Sequence, residues 1–101
     1  MQLITKYQLS PLATEDLRNI WRYGAGRWGA EQADNYSDKL FDGFELLVHT
    51  PEAGQTIEEI REGYRRHIVG SHSIIYRLSS DTVEIIRILH QRMDAERHLS
   101  H

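Results

Sequence analysis

Residues 82–90 read Thr-Val-Glu-Ile-Ile-Arg-Ile-Leu-His, and residues 91–99 continue as Gln-Arg-Met-Asp-Ala-Glu-Arg-His-Leu. The first segment is apolar or β-branched except at Glu84, Arg87 and His90, which is typical of a strand covered on both faces near the middle of a sheet. The second segment becomes polar abruptly. We therefore expect a central strand that delivers a cluster of polar side chains to the rim of the sheet, where they either form a site or start a short C-terminal helix that caps the core.

Three further segments have the composition of strands. Residues 64–69 (Tyr-Arg-Arg-His-Ile-Val) and 72–78 (His-Ser-Ile-Ile-Tyr-Arg-Leu) precede the central strand, and residues 3–9 (Leu-Ile-Thr-Lys-Tyr-Gln-Leu) open the chain. Short polar links, at 70–71 and 79–81, separate the last three strands. Because links this short join neighbouring strands into hairpins, these strands are predicted to form an antiparallel meander.

Two amphipathic helices are predicted between the first strand and the meander. The first begins at Ser10-Pro11, since serine caps a helix N-terminus and proline suits the first helical position. We expect it to fray near residues 26–29. The second covers residues 30–49 and ends before Thr50-Pro51. The short link makes the two an antiparallel hairpin. Their apolar faces contain Ala13, Leu17, Ile20, Trp21 and Trp28 in the first helix, and Ala33, Tyr36, Leu40, Phe44 and Leu47 in the second, widened by Phe41 and Val48.

The predicted fold is a single α+β domain over residues 1–101. Its element order is β-α-α-β-β-β, with the αα-hairpin packed on one face of an antiparallel β-sheet and a short C-terminal tail or helix. We expect the other face of the sheet to be partly open and basic. Residues 50–63 form a polar connection with one helical turn at 57–61. A chain of this length buries roughly 60 to 70% of its unfolded surface, which suffices for one core.

The composition excludes several classes of protein. The chain has no cysteine, so disulfides, thiolate zinc sites and cysteine nucleophiles are absent. No apolar run approaches the ~20 residues that span a bilayer, and the N-terminus lacks the layout of a signal peptide, so we expect a cytoplasmic protein. The net charge of -3 does not suit strong nonspecific nucleic-acid binding. The charge is uneven, because residues 61–101 carry 7 Arg against 5 Asp and Glu while residues 1–60 are acidic.

A cluster of arginine and histidine is the feature of the sequence with the clearest chemistry. On an open sheet face such side chains could hold RNA and move a proton at a 2′-hydroxyl, so RNA cleavage is one hypothesis. Arginine is a poor general base, however, and no glycine-rich phosphate loop or nucleophile motif accompanies the cluster. Because the histidines lie on different strands, we expect no metal site and no cofactor. The cluster contains Arg65, Arg66, His67, His72, Arg77, His90 and Arg92.

Several segments together resemble the ParE-type toxins of bacterial toxin–antitoxin systems, in the RelE/ParE superfamily. The resemblance covers nearly the whole chain, and its most specific part is Ile88-Leu-His-Gln-Arg-Met-Asp94, which closes the last strand. The other matching segments are Tyr7-Gln-Leu-Ser-Pro-Leu-Ala13 with Glu15-Asp16-Leu17, Ile20-Trp21-Arg22-Tyr23, Arg27-Trp28-Gly29, Gly63-Tyr-Arg65 and Ile74-Ile-Tyr-Arg77.

The resemblance implies the predicted fold and a function. A ParE-type toxin is a non-enzymatic poison of DNA gyrase, associated with growth inhibition and plasmid maintenance. A cognate ParD-like antitoxin neutralises it, typically a ribbon-helix-helix protein with a flexible C-terminal segment. Toxins of the RelE branch instead cleave mRNA on the ribosome with Lys, Arg and Tyr side chains. This chain has no lysine after Lys39 and no tyrosine after Tyr76, which favours the ParE alternative.

The resemblance also assigns two candidate surfaces. The end of the last strand and the tail are expected to contact the target, with Arg65 and Arg66 beside them, and the aromatic side chains of the hairpin are expected to bind the antitoxin as part of a toxin–antitoxin hetero-oligomer. Truncation after Met93 is expected to leave the fold largely intact. The RNase alternative would use Arg66, His90 and Arg92. The predicted target-contact residues are Arg65, Arg66, His90, Arg92, Met93, Asp94 and Arg97, and the predicted antitoxin-binding residues are Trp21, Trp28, Tyr36 and Phe44.

Overall fold

The helices and strands lie close to their predicted positions in a computed structural model, which describes residues 3–93 and 95–99. The predicted second helix and the first and third strands of the meander have the predicted bounds. The short C-terminal helix is present, and the first strand is shorter than predicted. The described elements are β1 (Lys6–Leu9), α1 (Pro11–Trp28), α2 (Ala30–His49), β2 (Gln55–Thr56), β3 (Tyr64–Val69), β4 (His72–Ser79), β5 (Thr82–His90) and α3 (Ala95–Leu99).

The strands of the described chain form one sheet in the order β1-β5-β4-β3-β2, with β5 inside it. The meander β3-β4-β5 is antiparallel, as predicted. Two features differ from the prediction. β1 pairs with β5 in parallel. After the helical hairpin the chain re-enters the sheet at the opposite edge, with β2 and β3, and the meander then brings β5 back beside β1. β2 pairs with β3 inside the segment predicted to be a polar connection. The predicted turn follows it, with the Arg61 N–H donating to the Ile57 carbonyl at 3.1 Å.

Ser10 begins α1 and ties it to β5. Its hydroxyl oxygen accepts a hydrogen bond from the Ala13 N–H at 3.0 Å, which caps the helix. The same hydroxyl donates to the Ile86 carbonyl at 2.7 Å. The helix continues through Gly26 to Trp28, so the predicted fraying does not occur before Gly29, whose φ of +97° separates the two helices.

The main core lies between the helical hairpin and one face of the sheet. Most of the predicted apolar positions of both helices face it, but Trp21 and Trp28 are 36% and 62% exposed. These two were wrongly placed on the buried face, because Trp21 lies about 100° around the helix from Ile20 and Trp28 follows two turns later on the same flank. The buried residues of this core are Ala13, Leu40, Phe44, Leu47, Ile74, Tyr76, Val83, Ile85 and Ile88.

A second, smaller core covers part of the opposite sheet face. The prediction of a partly open, basic face was therefore incomplete: its centre is apolar and covered by the turn after β2 and by α3. The Arg61 guanidinium donates to the Leu99 carbonyl at 3.0 Å and holds α3 against this face. The buried residues of the second core are Ile57, Tyr64, Ile75, Leu89 and Leu99.

A largely buried ion pair fixes α1 on the central strand. Asp16 accepts two hydrogen bonds from the Arg87 guanidinium, at 2.9 and 3.0 Å, and a third from the Ile88 N–H at 2.9 Å. The two side chains are 13% and 17% exposed. Bidentate geometry with a further backbone donor satisfies the carboxylate, so the pair fixes the direction of the helix against the end of β5. Within the described residues, no helix is long and apolar enough to cross a membrane.

Candidate functional site

A groove of about 850 Å³ opens between the helical hairpin and the rim of the sheet where β4 begins and β5 ends. Its walls are apolar and aromatic side chains from both helices, and its floor carries two histidines. The described lining residues are Asn19, Ile20, Tyr23, Gly24, Trp28, Gln32, Ala33, Asn35, Tyr36, Lys39, Ser71, His72, His90 and Met93. Its volume and apolar walls are typical of a binding site rather than of an irregular surface.

The two histidines meet because of the strand register. His72 is the cross-strand partner of His90, and their ring centroids are 5.4 Å apart. Partners directly opposite each other point to the same face of a sheet. A regular hairpin closed by the pair Ser79–Thr82 would place His72 opposite Leu89 instead. A β-bulge between Ile75 and Tyr76 shifts the register by one residue and produces the histidine pair.

Tyr36 connects α2 to this pair. Its hydroxyl lies 2.5 Å from His72 Nδ1, accepts a hydrogen bond from the Ser71 N–H at 3.0 Å, and is 3.4 Å from the Val69 carbonyl. Burial lowers the pKa of His72, and the neighbouring His90 lowers it further, while Asp16 acts in the opposite direction. The neutral imidazole is therefore favoured, with the tyrosine hydroxyl donating to Nδ1.

His90 holds the turn that leads out of the sheet. Its Nδ1 accepts a hydrogen bond from the Arg92 N–H at 3.1 Å. A ring nitrogen that accepts cannot carry a proton, so the neutral ring has its N–H at Nε2. Met93 follows at the edge of the groove and is 49% exposed. The floor of the groove and the start of the C-terminal segment are thus connected through one imidazole.

The lining of the groove differs in charge from the chain as a whole, which has a net charge of -3. Lys39, His72 and His90 line it, and no Asp or Glu is present among its described lining residues. At the rim, Tyr23 and Trp28 meet edge to face with ring centroids 5.9 Å apart and are about 60% exposed. The Arg27 guanidinium lies 5.7 Å from the centre of the Trp28 ring. Exposed aromatic side chains beside cations are typical of surfaces that bind another protein.

The predicted antitoxin-binding residues separate into two groups. Trp28 and Tyr36 line the groove. Trp21 lies outside it and donates its indole N–H to the Asp34 carboxylate at 2.8 Å. Phe44 has no exposed surface, because it packs in the main core with its ring 5.3 Å from that of Tyr7. The assignment of Phe44 to a binding surface was therefore wrong, since helical periodicity marks the face that is buried without saying what buries it.

The predicted target-contact residues are not all neighbours. His90 and Met93 line the groove, and Arg92 is exposed between them. Arg65 is partly buried and donates to the Gly54 carbonyl at 2.8 Å, far along β3 from the groove. Arg66 pairs with Ile75, whose side chain lies in the second core.

Arg66 therefore points to the face opposite His90, and the expectation that Arg65 and Arg66 lie beside His90 was wrong. The same geometry separates the trio Arg66, His90 and Arg92 required by the RNase alternative. Arg97 belongs to α3 and is exposed, and Asp94 lies outside the described residues.

The sequence did not single out Tyr23, Lys39 or the contact of Tyr36 with His72 as parts of a site. A signal for the aromatic rim was present, because Tyr23 and Trp28 are large apolar residues that lie off the buried face of α1. The histidine pair had no such signal, since it depends on a bulge. Among the described residues, no three or more His, Asp or Glu side chains are arranged to hold a metal ion.

Residues 7–95 match the family described as the ParE toxin of the type II toxin–antitoxin system parDE. The chain is 47% identical over 93 residues to Toxin ParE1 of Caulobacter vibrioides, covering 92% of this chain and 96% of that protein. It is 40% identical over 96 residues to Toxin ParE1 of Mycobacterium tuberculosis, covering 94% and 98%. It is 30% identical over 92 residues to Toxin ParE of Escherichia coli, covering 90% and 89%.

Two solved structures share the fold. A chain of the chromosomal ParDE toxin–antitoxin system from P. aeruginosa superposes with a TM-score of 0.75 at 21% identity, covering 87% of this chain and 96% of that one. A chain of the toxin–antitoxin complex RelBE2 from Mycobacterium tuberculosis superposes with a TM-score of 0.64 at 18% identity, covering 90% and 100%. At these identities the likeness concerns the fold.

Proposed function

Because the chain belongs to the ParE toxin family of type II toxin–antitoxin systems, we propose that it inhibits DNA gyrase and that a cognate ParD-like antitoxin neutralises it. The match over residues 7–95, which extends through the rim of the sheet to the start of α3, carries this proposal. The toxin acts as an inhibitor that contacts its target, and its own residues catalyse no step.

The target surface is proposed at the end of β5. His90, Arg92 and Met93 follow one another at the rim, and both Arg92 and Met93 are exposed. A methionine beside a cation can bury apolar area while the charge orients the partner, and Met and Arg are both enriched at protein interfaces. Arg65 and Arg66 are not part of this surface, because one is engaged at the Gly54 turn and the other lies on the opposite sheet face.

The antitoxin is proposed to bind the hairpin side of the same rim. An amphipathic helix of its C-terminal segment would fill the groove between Tyr23, Trp28 and Tyr36. A strand added to β3 is the second contact. β2 pairs with β3 at Arg65 and Arg66, and no other described strand pairs with the outer edge of residues 67–69. An unpaired edge of this kind accepts an extended segment readily.

The deciding experiment is gyrase supercoiling of relaxed plasmid with the purified chain. We expect inhibition, with linear DNA accumulating after detergent and protease treatment. Arg92→Ala and Met93→Ala should weaken inhibition by roughly tenfold or more, as for residues at the centre of an interface. Arg22→Ala removes an exposed arginine of α1 and serves as the matched control, which should inhibit like the unaltered chain. Full gyrase activity at a large excess of folded protein would reject the proposal.

Ribosome-dependent mRNA cleavage is the second candidate, and one observation favours it. His72, His90 and Tyr36 bring two imidazoles and a phenol together in an open groove, a set that can donate and accept protons. This candidate predicts mRNA cleavage during in vitro translation, with a loss of orders of magnitude in His90→Ala. Translation that proceeds with intact mRNA would remove it.

A further inference from the structure

We propose that the groove binds its antitoxin through a carboxylate side chain that lies against His72 and His90, so that complex formation takes up a proton. This inference rests on the proposed toxin–antitoxin function, and it deepens that function by assigning the chemistry of the partner at one position. The bound segment is an apolar helix with a single acidic residue facing the floor of the groove.

Polar groups interrupt the apolar lining of the groove. The apolar walls favour an apolar partner, but the groove also contains Lys39 and two imidazoles, and no carboxylate is present among its described lining residues. Elsewhere residues 1–60 are strongly acidic, with 10 Asp and Glu against 5 Lys and Arg. A partner helix without an acidic group would bury these polar groups unpaired, which is unfavourable. A partner carboxylate complements them.

The hydrogen bonds of both rings favour an acceptor in the groove. Each ring uses Nδ1 within the protein, His72 toward Tyr36 and His90 toward the Arg92 N–H. In the neutral tautomers the proton is therefore at Nε2, where no hydrogen bond within the described part of the chain engages it. Because the ring centroids are only 5.4 Å apart, one partner carboxylate can accept from both Nε2–H groups. The same tautomers oppose a metal ion, because coordination through Nε2 requires the proton at Nδ1.

The structure also identifies the ring that takes up the proton. Protonated His90 would lose its bond with the Arg92 N–H, because Nδ1 could no longer accept. Protonated His72 keeps its contact: Nδ1 donates to the Tyr36 oxygen, and the hydroxyl proton turns to the Val69 carbonyl at 3.4 Å. Two imidazolium rings this close would repel each other, so one proton is taken up. His72 is the site.

Other charged groups lie around His72. Asp16 on α1 is held by Arg87 of β5, Lys39 on α2 lines the groove, and Arg92 follows the end of β5. In the free protein burial keeps the pKa of His72 low, whereas a partner carboxylate raises it. Since the complex then binds more protons than its separate components, affinity falls as pH rises.

The test measures binding of the full-length cognate antitoxin, by titration calorimetry near pH 6 and near pH 8. Between these two pH values we expect the dissociation constant to rise. The rise is roughly tenfold for each unit by which the pKa of His72 in the complex exceeds its pKa in the free protein. Buffers of different ionisation enthalpy should report uptake of about one proton near neutral pH. In the imidazole ¹⁵N spectrum of the complex, the His72 signal should shift to the doubly protonated form.

His72→Gln should remove the pH dependence of binding. If that variant does not fold, His90→Gln provides a second test, and it should reduce the pH dependence. His67→Gln is the matched control, because this partly buried histidine of β3 does not line the groove. A charge scan of the antitoxin, one Asp or Glu at a time to Asn or Gln, should find one residue whose replacement also abolishes the pH dependence.

Equal affinities at both pH values, or the same pH dependence in His72→Gln and His67→Gln, would overturn the inference. A dimer of the free chain that His72→Gln disrupts in sedimentation would assign the groove to a second copy. Loss of gyrase inhibition in His72→Gln, with antitoxin binding unchanged, would assign it to the target. Absence of any complex would reject the proposal that an antitoxin binds this chain. Gyrase inhibition is measured without antitoxin, so that part of the proposed function is tested separately.

Discussion

At the scale of single residues, the Asp16 carboxylate joins α1 to β5 through three hydrogen bonds. It receives both arms of the Arg87 guanidinium and the Ile88 N–H, and little of it is exposed. The nearby pair of Glu15 and Arg18 is a useful contrast, since its atoms are 3.6 Å apart and both side chains are more than half exposed. Geometry and burial, rather than charge, distinguish the two pairs.

Asp16→Ala should therefore lower the free energy of unfolding substantially, whereas Glu15→Ala should not. Removing Asp16 leaves the Arg87 cation and a backbone N–H without their acceptor, and we expect a loss of about 3 kcal/mol in the free energy of unfolding. Removing Glu15 should change it by no more than about 0.5 kcal/mol. Urea denaturation of both variants measures the difference, and similar losses in the two would contradict this reading of the ion pair.

The stability of the free protein should fall on mild acidification. Burial lowers the pKa of His67 and of His72, so below the ordinary histidine value of about 6.5 the unfolded chain binds protons that the native chain does not. Stability therefore rises with pH through this region and is lost as pH falls.

We expect a lower urea midpoint near pH 5 than near pH 7.5, and a smaller difference in His72→Gln, as linkage requires. His49→Gln, at the exposed end of α2, should retain the difference of the unaltered chain. An identical pH response in both variants would show that His72 does not contribute.

At the scale of elements, the helical hairpin depends on two glycines with opposite roles. Gly26 lies in α1, and a Cβ atom there would have no neighbour within 4 Å. Gly29 joins the helices at φ +97° and ψ 159°, a region that side chains rarely adopt. One glycine lowers helix stability, and the other makes the tight link possible.

Gly26→Ala should raise the free energy of unfolding by about 0.5–1 kcal/mol, because alanine restricts the unfolded chain and favours the helix. Gly29→Ala should lower it by about 1–3 kcal/mol through backbone strain. Thermal and urea denaturation of the two variants give the comparison. A destabilised Gly26→Ala would mean that α1 ends before Trp28 in solution.

The elements that the sequence predicted well are those with local signals. Ser10-Pro11 marks the start of α1, Thr50-Pro51 the end of α2, and short polar links delimit the strands of the meander. Other features depend on contacts between distant residues. The parallel pairing of β1 with β5 and the bulge at Ile86 carry no periodic signal, so the contact between His72 and His90 could not be predicted. The groove residues were identified in part, through Trp28, Tyr36, His90 and Met93.

At the scale of the whole molecule, the two sheet faces support different parts of the proposed function. The hairpin face holds the groove, whereas α3 on the opposite face completes the second core through Leu99, which is 5% exposed. Removal of the C-terminal segment would expose Ile57, Tyr64 and Leu89. The expectation that truncation after Met93 leaves the fold largely intact is therefore revised, and point substitutions are the better test of target contact.

Leu99→Ala should lower the free energy of unfolding by about 2–3 kcal/mol, as for a buried leucine near the edge of a core. Leu12→Ala, at a position that is 59% exposed on α1, is the matched control and should change it by less than about 0.5 kcal/mol. Chemical denaturation, analysed with one common dependence of the free energy of unfolding on denaturant concentration, distinguishes the two variants. A neutral Leu99→Ala would mean that α3 does not stabilise the second core.

The pairing of the first strand with the last also determines when the native sheet can form during synthesis. Ser10 and Asp16 find their partners at residues 85–88, more than 70 positions later in the chain. During synthesis at about 5–20 residues per second, the N-terminal strand and helix wait for more than 70 further residues before they can dock. The nascent chain thus emerges without its native sheet and without its groove. We therefore expect a short delay between the synthesis of α1 and the first binding of any partner, since neither proposed surface exists until the end of β5 has left the ribosome.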